Sequence, residues 1–386
     1  MATHTVRDLS TTMQSIAPLS YAEAWDKVGL LAGDATRTLG GPVLLTIDLT
    51  EAVMAEAIAM QASAIIAYHP PIFEPLARIT DATPRQRIIL RAVEHHIAIY
   101  SPHTALDAIP GGVCDWLCEG ISGSGTPGKI NGDVRALTPH PQQPVSQQCK
   151  IVTFVQSREV DQVRAALATA GAGIIGNYQV CSFSAEGEGT FLGNDASTPA
   201  VGQAGQLEHV RECRLEMVCS KASVALAIET LRRFHPYEEP AIDVYELKPQ
   251  PIRNAGAGRR LVLDKPVTVL ELAQRLKTHI RRDRTRYSLA WPDDPNRVVT
   301  RVGVVPGSGS ELSRTARDEG CEVFVTGEMK HHEIMGAVHA GMSIVLGGHT
   351  NTERGYLPRL AERLREKMAG VVFAVSTRDK DPLEAA

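Results

Sequence analysis

Short, almost wholly apolar runs occur near both ends of the chain, and most of them precede a helical pattern. In the first part they cover residues 43–49, 63–67 and 97–100, with helical spacing of apolar positions at 51–61 and 85–95. In the last part they cover 301–305, 323–325 and 342–346, with helical spacing at 311–319 and 357–368. Strands that are apolar on both faces are typical of a parallel sheet covered by helices. The pattern predicts an α/β fold at both ends.

The middle of the chain follows a different plan. Predicted strands cover 151–155, 178–183, 189–192, 213–219 and 242–247, and predicted helices cover 159–170 and 223–234. A strand-helix-strand pattern that occurs twice in a segment of this size is typical of a ferredoxin-like α+β domain. The sequence therefore predicts an α/β domain in two halves, 1–147 and 250–386, with an inserted domain at 148–249.

Three segments have less regular patterns. Residues 122–148 are rich in Gly, Pro, Ser, Thr and Gln, which indicates a partly ordered connection. Residues 376–386 are predicted to be a frayed tail. The Gly- and Ser-containing stretch 306–310 is interpreted either as a tight turn between strand and helix or as a set of backbone N–H groups for a phosphate.

Composition narrows the classes of function. The chain has 386 residues, of which 43% are hydrophobic and 22% charged, and a formal net charge of −4. No long basic block is present, so nucleic-acid binding is not expected and a small-molecule partner is. No apolar run approaches the roughly 20 residues of a membrane span, and we expect a cytoplasmic protein. The seven cysteines contain no Cys-x-x-Cys pair and are expected to be reduced.

Imidazoles and carboxylates follow the predicted strands in both halves. His69 follows one strand, His103 and Asp107 follow the next, and His349 and Glu353 follow the strand at 342–346. His349 and Glu353 are four positions apart, which places them on one face of a helix and allows both to bind one metal ion. Because sites assemble at the carboxyl ends of parallel strands, we expect these groups to lie together. Imidazole and carboxylate ligands without thiolate suit Zn, Fe, Mn, Ni or Co.

The same stretches resemble a known family. Ala24 to Leu30, Tyr68 to Phe73, Ser101 to Leu117, Thr326-Gly327-Glu328 and Gly348 to Gly355 resemble the NIF3-like family, also called GTP cyclohydrolase 1 type 2, in the right order over nearly the whole chain. The middle segment resembles the PII/CutA-like insert that some members carry, on the stretches 171–178, 187–191 and 235–240. Within the last of these, His235, Glu238 and Glu239 are either ligands or part of a rigid loop between prolines.

The resemblance implies a three-layer α/β domain and a dinuclear metal centre. It implies that His69, Asp107, His349 and Glu353 are the metal ligands, and that the protein assembles into a homohexameric ring. Many members have a second His directly before the first of these ligands, where this chain has Tyr68. A phenol is a poor ligand unless it is deprotonated, so we expect two unequal ions. The alternative is that Tyr68 packs in the core beside Phe73 and leaves a single-metal site.

Two functions fit these observations. The first is metal-dependent hydrolysis of a nucleotide-like ring, in which bridged divalent ions activate water and His103 or Glu328 moves protons. The second is a metal-binding or regulatory scaffold whose insert senses a ligand. A family name alone does not decide between them.

Overall fold

Residues 4–383 are described in the computed structural model of this chain, which divides into two units. Unit 1 comprises Met1–His140 and Ile252–Ala386, and unit 2 comprises Pro141–Pro251. The helices are α1 (Val6–Ile16), α2 (Glu51–Ala59), α3 (Pro84–Glu94), α4 (His103–Ala108), α5 (Val113–Ser122), α6 (Val160–Thr169), α7 (Val224–Phe234), α8 (Val269–His279), α9 (Ser313–Asp318), α10 (His331–His339), α11 (Asn351–Arg354) and α12 (Leu357–Lys367).

The strands complete the two units. They are β1 (Gly29–Ala32), β2 (Val43–Thr46), β3 (Ala64–Ala67), β4 (Ala98–Ser101), β5 (Gly132–Gln142), β6 (Cys149–Val155), β7 (Phe183–Leu192), β8 (Leu207–Cys219), β9 (Ile242–Glu246), β10 (Gln250–Thr268), β11 (Arg286–Ser288), β12 (Val298–Val304), β13 (Val323–Thr326), β14 (Ser343–Leu346) and β15 (Phe373–Val375). None of the described helices has the length and apolar character needed to cross a membrane.

Unit 1 contains two sheets with parallel centres. The first has the order β1-β4-β3-β2-β15, in which β15, β2, β3 and β4 are parallel and β1 is antiparallel to β4. The second has the order β11-β14-β13-β12-β10-β5, with β12, β13 and β14 parallel. Each sheet takes an edge strand from the other half of the sequence, β15 in the first and β5 in the second. The two halves therefore fold together.

The central strands of both sheets are buried throughout, because helices cover both faces of each sheet. One large core contains side chains of both sheets and of α1, α5, α8 and α12. The outer face of the first sheet packs against α2 and α3, and that of the second against α9 and α10. Each sheet is thus the middle of a three-layer α/β/α arrangement, which confirms the predicted fold class.

Unit 2 is ferredoxin-like. Its elements follow the order β6-α6-β7-β8-α7-β9, and its antiparallel sheet has the order β7-β8-β6-β9. Alternate residues of β6 and β8, among them Ile151, Cys213 and Leu215, form a core with the apolar faces of α6 and α7. This agrees with the predicted α+β insert.

Several predicted segments were wrong. Part of the supposed loop 122–148 is strand β5, an edge of the second sheet. The two strands predicted at 178–183 and 189–192 are replaced by the single strand β7, because Gly187 and Gly189 keep their pairing with β8 and do not interrupt it. The tail from Ser376 to Asp381 is held by hydrogen bonds to unit 1 and is not frayed, while its last three residues lie outside the described part.

Candidate metal centre

The candidate site lies in unit 1, at the carboxyl ends of parallel strands from both sheets. His69 follows β3, and His103 and Asp107 belong to α4, directly after β4. Glu328 follows β13, and His349 lies between β14 and the short helix α11, which carries Glu353. Parallel strands bring the residues that follow them to one edge of a sheet. The long separation in sequence between the two groups is closed by this packing.

Three side chains form a compact ligand set. One atom from each of His69, His349 and Glu353 lies within 4.8 Å of the others, and this is the one such group of His, Cys, Asp or Glu found in residues 4–383. Nε2 of His69 is 3.5 Å from Oε2 of Glu353, and Nε2 of His349 is 3.6 Å from Oε1. Glu353 therefore lies between two imidazoles that both direct Nε2 toward it.

The other ring nitrogen of each imidazole is held by a carboxylate. Asp48 lies 2.9 Å from Nδ1 of His69, and Glu328 lies 2.8 Å from Nδ1 of His349. A carboxylate on Nδ1 fixes the orientation and tautomer of a histidine and raises its basicity as a ligand, an arrangement that recurs at protein metal sites. The sequence pattern does not single out Asp48, because this residue lies inside the strand predicted at 43–49, whereas β2 ends at Thr46.

The burial of Glu353 is the best test of whether these residues fit a cation. Its side chain is 3% exposed, and Oε2 is buried without a hydrogen-bond partner in the described part of the chain. A buried carboxylate without a partner is costly, so such groups are usually paired or bind metal. Gly307, at φ +60°, leaves the necessary room, since a Cβ there would lie 2.4 Å from Oε1 of Glu353. The donor set fits a divalent cation.

The charges around His69 favour a positive group at this point. Burial alone would lower the pKa of His69, but the adjacent carboxylates of Asp48 and Glu353 raise that pKa to about 10. Desolvation would raise the pKa of Asp48, but the hydrogen bond to His69 together with the nearby positive charges lowers that pKa below its ordinary value. The two carboxylates thus supply negative charge that either a proton or a metal ion can balance.

Asp107 and Tyr68 form a second group beside the first. The Tyr68 hydroxyl donates to Oδ1 of Asp107 at 2.6 Å. Burial raises the pKa of both groups well above their ordinary values, and the nearby carboxylate of Glu353 adds to both shifts. Asp107 is not among the three residues of the compact ligand set. Tyr68 is buried in the large core and makes ring contacts with His69 and His103. Within residues 4–383 the Phe73 ring contacts that of Trp25, at 6.0 Å, and not that of Tyr68.

His103 extends the cluster on the side of the first sheet. Its ring centroid is 5.3 Å from that of His69 and 5.6 Å from that of Tyr68. Nδ1 is 2.7 Å from Oδ1 of Asp26, whose side chain is fully buried and also accepts the backbone N–H of Thr104 at 3.1 Å. The segment around Trp25 and Asp26, which in the sequence carries only part of the family resemblance, therefore holds His103 in position.

The stretch 306–310 is a turn in which two backbone amides already have hydrogen-bond partners. The N–H of Gly307 donates to Oγ1 of Thr352 at 2.9 Å, and that of Gly309 donates to Oγ1 of Thr326 at 3.2 Å. Internal hydrogen bonds of this kind favour the tight-turn interpretation over a phosphate loop. The turn contributes to the site through the space that Gly307 leaves beside Glu353.

The carboxyl-terminal segment holds the helix that carries Glu353. Asn351 donates to Oδ2 of Asp381 at 2.6 Å, and Arg354 forms an ion pair with Asp379. The carboxylate of Asp379 also accepts the backbone N–H of Ile47 at 2.8 Å, one residue before Asp48. The tail thus joins α11, which carries Glu353, to the segment after β2, which carries Asp48.

The chain is similar in sequence to known proteins over nearly its whole length. The Duf34/NIF3 (NGG1p interacting factor 3) family matches residues 4–382. A relative from Bacillus subtilis (strain 168), named GTP cyclohydrolase 1 type 2 homolog, is 35% identical over 372 residues, which cover 96% of this chain and 95% of that protein. NIF3-like protein 1 of Homo sapiens is 31% identical over 381 residues, covering 98% and 92%.

Solved structures agree with the sequence relatives. The crystal structure of a Bacillus cereus protein related to NIF3 has a TM-score of 0.67 and 31% identity, with all of both chains covered. A Staphylococcus aureus protein has a TM-score of 0.73 and 25% identity, again over both whole chains. The resemblance noted in the sequence is confirmed, and the chain belongs to the Duf34/NIF3 family.

Proposed function

We propose that this protein binds divalent metal ions and hydrolyses a nucleotide-like ring, the type of reaction named in GTP cyclohydrolase 1 type 2. The observation that supports the metal site is the buried Glu353 carboxylate. Its Oε2 has no hydrogen-bond partner among residues 4–383, and it lies between two imidazoles oriented by Asp48 and Glu328. The relatives' names support the choice of substrate class.

We assign His69, His349 and Glu353 to the tighter ion position. Asp107 lies next to Glu353 and would serve a second position, where the neutral phenol of Tyr68 is the weaker neighbour. Divalent ions, when bound, activate water and polarise the bond that it attacks. Zn, Fe, Mn, Ni and Co all suit this set of nitrogen and oxygen ligands.

The protein's own groups divide the remaining tasks. His103 is held through Nδ1 by Asp26, which leaves Nε2 to accept or deliver a proton. Glu328, the second catalytic candidate, uses a carboxylate oxygen on His349 and is 52% exposed at the side chain. Its hydrogen bond favours a positioning role for Glu328 over direct proton transfer.

A second function has its own support. The hydrogen bond from Tyr68 to Asp107 occupies a carboxylate oxygen that a second ion needs, which favours a metal-binding scaffold with one firmly held ion. For both functions we propose a cytoplasmic protein that forms a homohexamer, with 1–147 and 250–386 as one domain and 148–249 as a separable insert.

The test begins with metal analysis of protein purified without chelator, followed by assay of the metal-loaded protein against nucleotides and cyclic amides. Turnover that Asp26→Asn and His103→Asn reduce, with unchanged metal content, supports the hydrolase. Bound metal without turnover of any substrate supports the scaffold. Protein that never binds metal contradicts both.

A further inference from the structure

Unit 2 contains a cavity that has no part in the metal chemistry. It has a volume of about 670 Å³ and is lined by residues of unit 2 alone. Two stretches noted in the sequence for their likeness to a PII/CutA-like insert meet there, 187–191 on β7 and the loop 235–240. Cavities of about 300 to 1,000 Å³ commonly hold small organic ligands.

The absence of side chains on β7 creates much of this space. Gly187 and Gly189 both line the cavity, opposite Glu212 and Val210 of β8. A Cβ on Gly187 would meet no atom within 4 Å, whereas one on Gly189 would lie 2.1 Å from the Glu212 carboxylate. Gly187 thus leaves open volume in the cavity, and Gly189 leaves the space that the Glu212 carboxylate occupies.

The lining is strongly acidic. Arg214 is the one cationic side chain among the described residues that line the cavity, and its guanidinium already pairs with Glu216. The lining carries five carboxylates, those of Glu186, Glu188, Glu212, Glu238 and Glu239. Within residues 4–383 these carboxylates do not converge closely enough to form a metal-type ligand group. A ligand that matches them must therefore carry positive charges that are spread along its length.

The cavity lining also contains apolar and aromatic side chains. Phe154, Phe191 and Val201 line the same cavity as the carboxylates. Aliphatic chain packs well against such side chains, and an ammonium group over an aromatic face gains a cation–π contribution. The cavity therefore offers both apolar surface for methylene segments and carboxylates for cationic groups.

Tyr237 lines the cavity beside Glu212. Burial together with the neighbouring Glu212 carboxylate raises the pKa of the Tyr237 hydroxyl to about 12. His235, which is itself buried, accepts the backbone N–H of Tyr237 through Nδ1 at 3.1 Å and lies edge-on to the Tyr237 ring at 5.0 Å. These contacts hold the loop that brings Tyr237, Glu238 and Glu239 to the cavity wall.

We propose that this cavity binds a linear aliphatic polyamine. Its ammonium groups would donate hydrogen bonds to the Glu212, Glu238 and Glu239 carboxylates, and its methylene segments would pack on the phenylalanines. Charge-assisted hydrogen bonds are the strong ones in a partly enclosed site. The site is independent of the metal centre, because all of its residues belong to unit 2.

The experiment is isothermal titration of the full-length protein with spermidine at low and moderate salt. We expect one spermidine per chain, with binding that weakens as salt rises. The double variant Glu212→Gln/Glu239→Gln should lower the affinity at least tenfold. Glu246→Gln, which removes one carboxylate of β9 that does not line the cavity, should change it less than about twofold.

Gly187→Leu provides a test that does not alter charge. The side chain would enter the open volume, so it should abolish spermidine binding without lowering the thermal midpoint. Unchanged binding in Gly187→Leu, or equal losses in the cavity and Glu246 variants, would overturn the proposal. So would tighter binding of an anionic nucleotide, or dissociation of an oligomer by Gly187→Leu, which would mean that a second copy of the chain fills the cavity.

Discussion

Replacing Glu353 by Gln removes one charge from the centre of the candidate site and changes the shape of the side chain very little. Glu353 is the group toward which His69 and His349 both direct Nε2, at 3.5 and 3.6 Å. Loss of a group that only orients a ligand costs about 10- to 100-fold in metal affinity. Since Glu353 is placed to bind the ion directly, we expect Glu353→Gln to cost at least about 100-fold.

This loss can be read as a change in thermal stability. With free Zn at 100 times the dissociation constant of the unmodified protein, binding stabilises the folded state by about 2.7 kcal/mol, which raises the thermal midpoint by about 5 °C in a unit of this size. A 100-fold weaker variant at the same Zn concentration gains about 0.4 kcal/mol, or about 1 °C. For each variant, the metal-free thermal midpoint is subtracted from the metal-loaded one. This subtraction cancels any effect of the substitution on the stability of the metal-free fold.

Two control variants make the assay specific. Glu328→Gln loosens His349 and should give an intermediate shift, because Glu328 holds Nδ1 and does not face the ion. Glu362→Gln changes an exposed carboxylate on α12 and should keep the full shift. If Glu353→Gln retained the full shift and the full metal content, the assignment of the site would be wrong.

Four further outcomes follow from the structure. Titration of metal-free protein with Zn or Mn should give two affinities, and Tyr68→His should tighten the weaker one; a stoichiometry of one that this variant leaves unchanged would contradict unequal ions. Asp107→Ala should lower metal content, and full retention would remove Asp107 from the site. Replacing residues 150–248 by a short linker should leave a folded protein that binds metal, whereas recovery only as aggregate would argue against separable domains. Desolvation would raise the pKa of Glu56, but hydrogen bonds from Ser376 and its neighbours lower that pKa below the ordinary 4.5. The ionised Glu56 should therefore make the protein more stable than the Glu56→Gln variant at pH 7, and this difference in unfolding free energy should decline as pH falls below about 4.5. A difference that stays constant with pH would contradict this role of Glu56.

The strands that carry the site were predictable because their signal is local. The run 64–67 is apolar at every position, and burial on both faces is the physical reason for that composition. Strands at sheet edges, such as β1 and β5, were missed because one face is exposed and their patterns resemble loops. The pairing of β5 with the second sheet depends on residues far away in sequence, which local patterns do not report.

Two of the proposed ligands are predictable from their spacing in the sequence, whereas the carboxylates that orient the histidines are not. His349 and Glu353 are separated by one helical turn, and this spacing is visible in the sequence. Asp48 and Asp26 act on His69 and His103 across long separations, and single acidic residues after a strand or in a turn have no distinctive local pattern. The sequence predicts a frayed tail because the polar residues there lack periodicity. In the structure these polar residues form the hydrogen bonds that hold the tail, to Glu56 and Asn351.

The inserted unit lengthens the loop between the two halves of the site, but it adds little to the entropic cost of bringing them together. His69 and Glu353 must meet across most of the chain, so the entropy of closing that loop opposes formation of the site. The cost grows only with the logarithm of loop length, so removing the roughly 110 residues of Pro141–Pro251 from a loop of roughly 280 would change it by only about 0.4 kcal/mol. The buried cores of the two sheets contribute far more than this. Metal affinity should therefore depend on the packing of the first and second sheets and on the carboxylates behind His69 and His349, and hardly at all on the presence of unit 2.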